Sequence, residues 1–181
     1  VWRSVAIGIG ATVLMDIWAI FLNKAFAQPR PNWGPVGRWV WHLREKVFHD
    51  DIGDAAPYAH EAALGWAFHY LVGIAYGIIL VVLAGAAWLA APTFLPAFIL
   101  GVVTVGAGWF LLAPGMGAGW AASKRPNPTR IRALNLVSHT VFALGLYGTA
   151  LLIRWGAAPD RSIALGRTPD GPWRGLLGLR A

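Results

Sequence analysis

The chain has 181 residues, of which 57% are hydrophobic and only 13% charged, with 11 Trp, 22 Gly and no Cys. So few charges cannot cover a water-soluble domain of this size, and the lack of Cys removes disulfide, zinc-thiolate, iron–sulfur and thiol chemistry. The net charge of +7 accompanies a mean hydropathy of +0.54, so it points to loops beside anionic headgroups and away from nucleic acid.

The first apolar run, Val5 to Leu22, predicts a membrane-spanning helix over 4–23. Asp16 interrupts it, so the run reads as a retained helix and not as a signal peptide. Gln28-Pro29-Arg30-Pro31-Asn32 cannot be helical. From Pro35 onward, Val36, Trp39, Val40, Leu43 and Val47 recur at helical spacing. They predict an amphipathic helix over 35–48 that lies in the interface plane or forms a lid on the bundle. A second span is predicted over 62–89, with Trp66 and Trp88 at its two interfaces. The linker Ala90-Ala91-Pro92 is so short that the third span, 93–113, must return antiparallel at once.

Pro114 stops the third span. The Gly-rich run Gly115-Met116-Gly117-Ala118-Gly119 lacks a Gly-Lys-Ser/Thr ending and follows a membrane helix, so it reads as a turn and not as a phosphate loop. A fourth span is predicted over 129–155. Residues 156–181 read as an extramembrane tail rich in Arg, Pro and Gly. The fold class is therefore all-α: a four-helix transmembrane bundle with an interfacial helix in its first long loop.

Each span carries a stripe of small and polar residues. Gly8, Thr12 and Asp16 are spaced by four, as are Gly65, His69, Gly73 and Gly77. Gly101, Thr104 and Gly108 continue the pattern, with Asn135, Ser138, His139, Phe142 and Gly145 on the last span. Such stripes let helices approach closely in lipid, so they should face the bundle interior. Nine Lys and Arg lie in the 24–62 and 114–132 segments. The positive-inside rule then places both long loops in the cytoplasm and both termini in the periplasm.

Three ionisable residues fall inside predicted spans: Asp16, His69 and His139. At about 1.5 Å per residue they lie roughly 9, 10 and 12 Å from the loop side, so three helices bring a polar group to one level. Imidazole in a membrane bundle serves as a hydrogen-bonding link between helices, as a haem or metal ligand, or with a carboxylate as a proton relay. His69 and His139 are the candidate cofactor-binding pair. His49, Asp50, His60 and Glu61 lie over the same mouth and have the donor chemistry for zinc, iron or copper. A zinc-protease HExxH motif is absent, because Leu64 stands where the second His belongs.

Several separated motifs together carry a family resemblance over about residues 5 to 150. They are Ala11-Thr12 with Met15-Asp16 and Trp18, Gly37-Arg38-Trp39, Phe48-His49-Asp50 and His60-Glu61. Gly65-Trp66 with His69-Tyr70, and Pro92-Thr93 with Leu95-Pro96-Ala97, continue the series. It closes with Met116-Gly117-Ala118-Gly119, Pro126-Asn127-Pro128, and His139 with Gly145-Leu146-Tyr147. On these residues the chain resembles the bacterial membrane proteins of the domain of unknown function 2938 family. The resemblance implies a multi-pass inner-membrane protein and supplies no reaction, ligand or catalytic residue.

Two function classes follow. The first is a non-catalytic accessory or scaffold subunit, whose partners are the lipid bilayer and other membrane subunits or further copies of itself. Its anchor would be the tail, where Trp173, Leu176, Leu177 and Leu179 stand among arginines. The second is a membrane protein with a haem, metal or proton-relay site at Asp16, His69 and His139.

Overall fold

A computed structural model describes residues 1–156; the predicted tail, and the anchoring role expected of it, lie outside the described residues. Five helices carry the fold: α1 (Trp2–Phe26), α2 (Gly34–His42), α3 (Glu61–Ala90), α4 (Phe94–Gly115) and α5 (Pro128–Gly156). No strand occurs among the described residues. α1, α3, α4 and α5 are long and apolar enough to cross a membrane, and they begin and end within a few residues of the predicted limits.

The four spans form a curved row. α1 packs between α3 and α5, and α5 packs in turn against α4. α3 and α4 are joined by a short turn yet touch little, so the row stays open along one side. Both long loops gather at the opposite end from that turn. There His49 N–H donates to the Gly115 carbonyl at 3.0 Å, Ile52 N–H to the Met116 carbonyl at 3.3 Å, and Arg130 to Gln28 at 2.9 Å.

The end nearer the turn is closed by backbone-to-backbone packing. A Cβ on Gly77 would stand 2.6 Å from the Gly8 nitrogen, one on Gly145 2.6 Å from the Ala11 Cα, and one on Gly101 2.6 Å from the Ala143 Cβ. No real side chain tolerates those separations, so the small stripes are what let the helices touch. Ile7, Leu80, Ala97 and Leu146 fill the space between them.

Two elements depart from expectation. Trp88 was expected at an interface but is buried in the core. α3 breaks at Gly85, whose φ of 81° is cheap only for glycine. The last turn then swings Trp88 inward, where its indole N–H donates to the Thr93 carbonyl at 3.0 Å. The second departure is α2, which ends at His42 and not near residue 48. Trp39 donates its indole N–H to the Val47 carbonyl at 2.8 Å, and that bond requires residues 43–47 to fold back. Gly37 and Gly65 let α2 lie directly on the start of α3, and Trp39 is only 2% exposed. α2 is thus a lid held by α3.

Candidate functional site

α1 and α3 cross closely at Gly8, Gly73 and Gly77, and further toward the loop side they hold a polar cluster. His69 Nε2–H donates to Asp16 Oδ1 at 3.0 Å, and the Tyr70 hydroxyl donates to Asp16 Oδ2 at 2.9 Å. Both carboxylate oxygens are therefore engaged from α3. The His69 ring stacks on Trp33, with centroids 4.0 Å apart, and meets Trp66 edge-on at 5.8 Å. The Asp16 and His69 side chains keep 22% and 11% of their surface open, so the pair is enclosed without being sealed.

His139 enters from α5. Its Nδ1 lies 3.0 Å from the Gly101 carbonyl and 3.1 Å from Thr104 Oγ1. The Thr104 hydroxyl already donates to the Gly101 carbonyl at 2.7 Å. A carbonyl can only accept, so His139 carries its proton on Nδ1 and leaves Nε2 with a lone pair. By the same logic Asp16 fixes the proton of His69 on Nε2 and leaves Nδ1 free. Each imidazole is thus oriented through one nitrogen, as ligating and proton-carrying histidines are.

Asp16, His69 and His139 line one cavity of about 450 Å³, bounded also by Met15, Trp33, Trp109, Asn135 and Ser138, with Arg125 among its walls. A second, mostly apolar compartment of about 260 Å³ lies between α3 and α4. It shares Met15, Trp33, His69, Gly108, Leu112 and His139 with the first. A third opening of about 280 Å³ reaches Asp16 past Arg30, Pro31, Trp33 and Trp66. On the α4 wall the helix widens to a π-turn over Gly108–Leu112, a distortion frequent at functional positions. The indole N–H of Trp109 is buried there without a partner among the described residues.

The expected loop cluster does not assemble. Glu61 is held by Arg38, with Nε to Oε2 at 2.7 Å and Nη2 to Oε1 at 2.9 Å. His49 Nε2 is turned to the Lys46 carbonyl at 3.1 Å, Asp50 is fully exposed 3.6 Å from Lys46, and exposed His60 meets only the edge of Tyr58. Each is satisfied by a near neighbour in its own segment or, for Glu61, by the lid. Among the described residues no three His, Asp or Glu side chains group to hold a metal ion.

Arg38 does more than bind Glu61, for it also donates to the carbonyls of Gly53 and Ala55 at 3.2 and 3.4 Å. The Glu61 hydrogen bond and charge raise the Arg38 pKa further above its ordinary range. His42, beside it, gives Nε2 to the Ala56 carbonyl at 3.0 Å and Nδ1 to Glu45 at 3.1 Å. Those two partners, the carbonyl first, raise the His42 imidazole above its ordinary value. Tyr70, Arg38 and His42 carry no periodic signal in the sequence. Tyr70 follows His69 directly, and neighbours on a helix point about 100° apart, so spacing does not pair both with one Asp.

The family model described as "Protein of unknown function (DUF2938)" matches residues 5–153, and the chain belongs to that family. No curated protein and no solved structure matches it significantly.

Proposed function

We propose that this member of the family is a multi-pass membrane protein that takes up and releases protons inside its bundle, at the Asp16–His69 pair. The single observation that carries this reading is the placement of that hydrogen-bonded carboxylate and imidazole on the wall of an open cavity in the spans. A polar pair that served only to link α1 to α3 would be packed over, as the glycine crossings are. An ionisable group within a span marks a functional site by default, proton relays among them. Tyr70 holds the second carboxylate oxygen and so fixes Asp16 in place beside His69.

The accessory-subunit expectation rested on small size, close-packed stripes, Trp-rich edges and the lack of a complete motif, and its proposed anchor, the tail, lies outside the described residues. Haem or a divalent metal on His69 and His139 has the oriented imidazoles in its support, but for a divalent ion no third His, Asp or Glu groups with them among the described residues. The proton reading needs only the groups already in contact.

Trp33 supplies the assay, because a protonated imidazole stacked on an indole quenches its emission. In lipid nanodiscs, tryptophan emission should titrate with pH in the wild type. That component should vanish in Trp33→Phe and His69→Gln and move in Asp16→Asn. A titration that survives unchanged in His69→Gln would remove the proposal and leave the pair as a helix link.

We further place the protein in the bacterial inner membrane with both loops in the cytoplasm. Lys24, Arg30, Arg38, Arg44, Lys46, Lys124, Arg125, Arg130 and Arg132 lie at the loop end, against Arg3 and Arg154 at the other among the described residues. Single cysteines at Lys124 and Ala91, both exposed, decide this with an impermeant maleimide on intact cells. Labelling at Ala91 alone is expected, and labelling at Lys124 alone would reverse the orientation.

A further inference from the structure

We infer that the open side of the bundle, between α3 and α4, is a binding cleft for a single-chain anionic amphiphile that enters from the bilayer. The inference stands on the cavity and not on the protonation of Asp16.

The two joined compartments differ in chemistry along their length. The compartment between α3 and α4 is almost wholly apolar, with Val72, Tyr76, Leu111 and Phe142 among its walls. The loop-side compartment adds hydrogen-bond donors that nothing else uses. Arg125, Asn135 and Ser138 make no side-chain hydrogen bond or ion pair among the described residues, and the Trp109 N–H is buried without a partner. Asp16, the one acid on that wall, already has both oxygens occupied. Beside the free imidazole nitrogens of His69 and His139, the unused groups thus include the pure donors Arg125 and Trp109, and Asn135 and Ser138, which can donate. They match a carboxylate head, which Arg binds through two parallel hydrogen bonds.

The apolar compartment sets the tail. At roughly 30 Å³ for a water-sized unit, about 260 Å³ holds on the order of nine such units, part of one chain and not two, with the rest of the chain left in lipid at the open side. It opens sideways because α3 and α4 hardly touch. A chain can therefore slide in from lipid while its head stays at the loop side, where the rim arginines stand. The π-turn in α4 widens the same wall.

Gly108 gives a clean way to close the cleft. It lines both compartments, has helical backbone angles, and a Cβ built on it meets no heavy atom within 4 Å. A large side chain there would occupy the cleft without pushing any helix.

Dibrominated stearic acid quenches nearby indoles, and Trp33 and Trp109 line the cavity. In phosphatidylcholine nanodiscs it should quench the wild type in two parts, a saturable one and a linear one from bulk lipid. Gly108→Phe should lose the saturable part, while Leu83→Phe, on a lipid-facing position 75% exposed, should keep it. Arg125→Gln should move half-saturation by roughly tenfold. The methyl ester of the same acid should give the linear part alone. Trp33→Phe, which fills nothing, should reduce the saturable amplitude and so tests the site independently of how Gly108→Phe folds. Equal saturable quenching in wild type and Trp33→Phe would overturn the inference. So would saturation by dibrominated phosphatidylglycerol, a two-chain anion, at the same mole fraction as the acid.

Discussion

The bundle has two unlike ends. Near the short α3–α4 turn, α1, α3, α4 and α5 meet through glycine and alanine, and Ile7, Leu80 and Leu146 are fully buried. Toward the loops the same helices part around a cavity, and contact is made by polar side chains: Asp16 with His69 and Tyr70, His139 with Gly101, Arg38 with Glu61. Lipid gives helices no hydrophobic reason to associate with one another, so association needs close packing or hydrogen bonds. This chain uses the first at one end and the second at the other. The closed end can therefore fix the helices while the open end leaves room for a ligand and a proton.

The largest disturbance should come from the closed end. Gly77→Leu puts a side chain where the Gly8 backbone already stands and should cost about 3 kcal/mol or more. The expected result is loss of the monodisperse folded species in size-exclusion chromatography. A Gly77→Leu protein with wild-type thermal stability would mean that the α1–α3 crossing does not hold this end.

A smaller effect should follow at the loop end. Arg38→Ala removes a two-bond pair with Glu61 and the bonds to the Gly53 and Ala55 carbonyls. The side chains keep 18% and 24% of their surface, so solvent screens part of the charge and the loss should be about 2 kcal/mol. It should appear as faster proteolysis between residues 43 and 60 with the four spans intact. If the spans unfold together with the loop, the two ends are one cooperative unit and the contrast fails.

The smallest effect is one of pH. His42 binds its proton more tightly in the folded chain, through Ala56 first and Glu45 second. Its contribution is therefore complete below the ordinary imidazole value of about 6.5 and fades as pH rises through the raised folded value. As pH rises above about 6.5, cleavage of the 43–60 segment should quicken, and His42→Gln should flatten that dependence. Slower cleavage at high pH would reverse the sign and place the stabilising charge elsewhere.

The sequence by itself determined the four spans, the fold class and the inward stripes. Hydropathy and a spacing of four are local properties, and membrane helices must satisfy their own backbone within each span. It also brought Asp16, His69 and His139 to one level, because depth along a straight helix is a count of residues. It did not determine the partners. Spacing could not show that Tyr70 takes the second Asp16 oxygen, that Arg38 claims Glu61, or that His49, Asp50 and His60 stay apart. Nor could it show that Gly85 turns Trp88 into the core, or that Gly108 on its small-residue stripe faces empty space. Those outcomes depend on where the helices cross and how the loops fold back over them. Crossings are set by contacts between residues far apart in the chain, and it is the divergence of α3 and α4 beyond their short turn that creates the cavity.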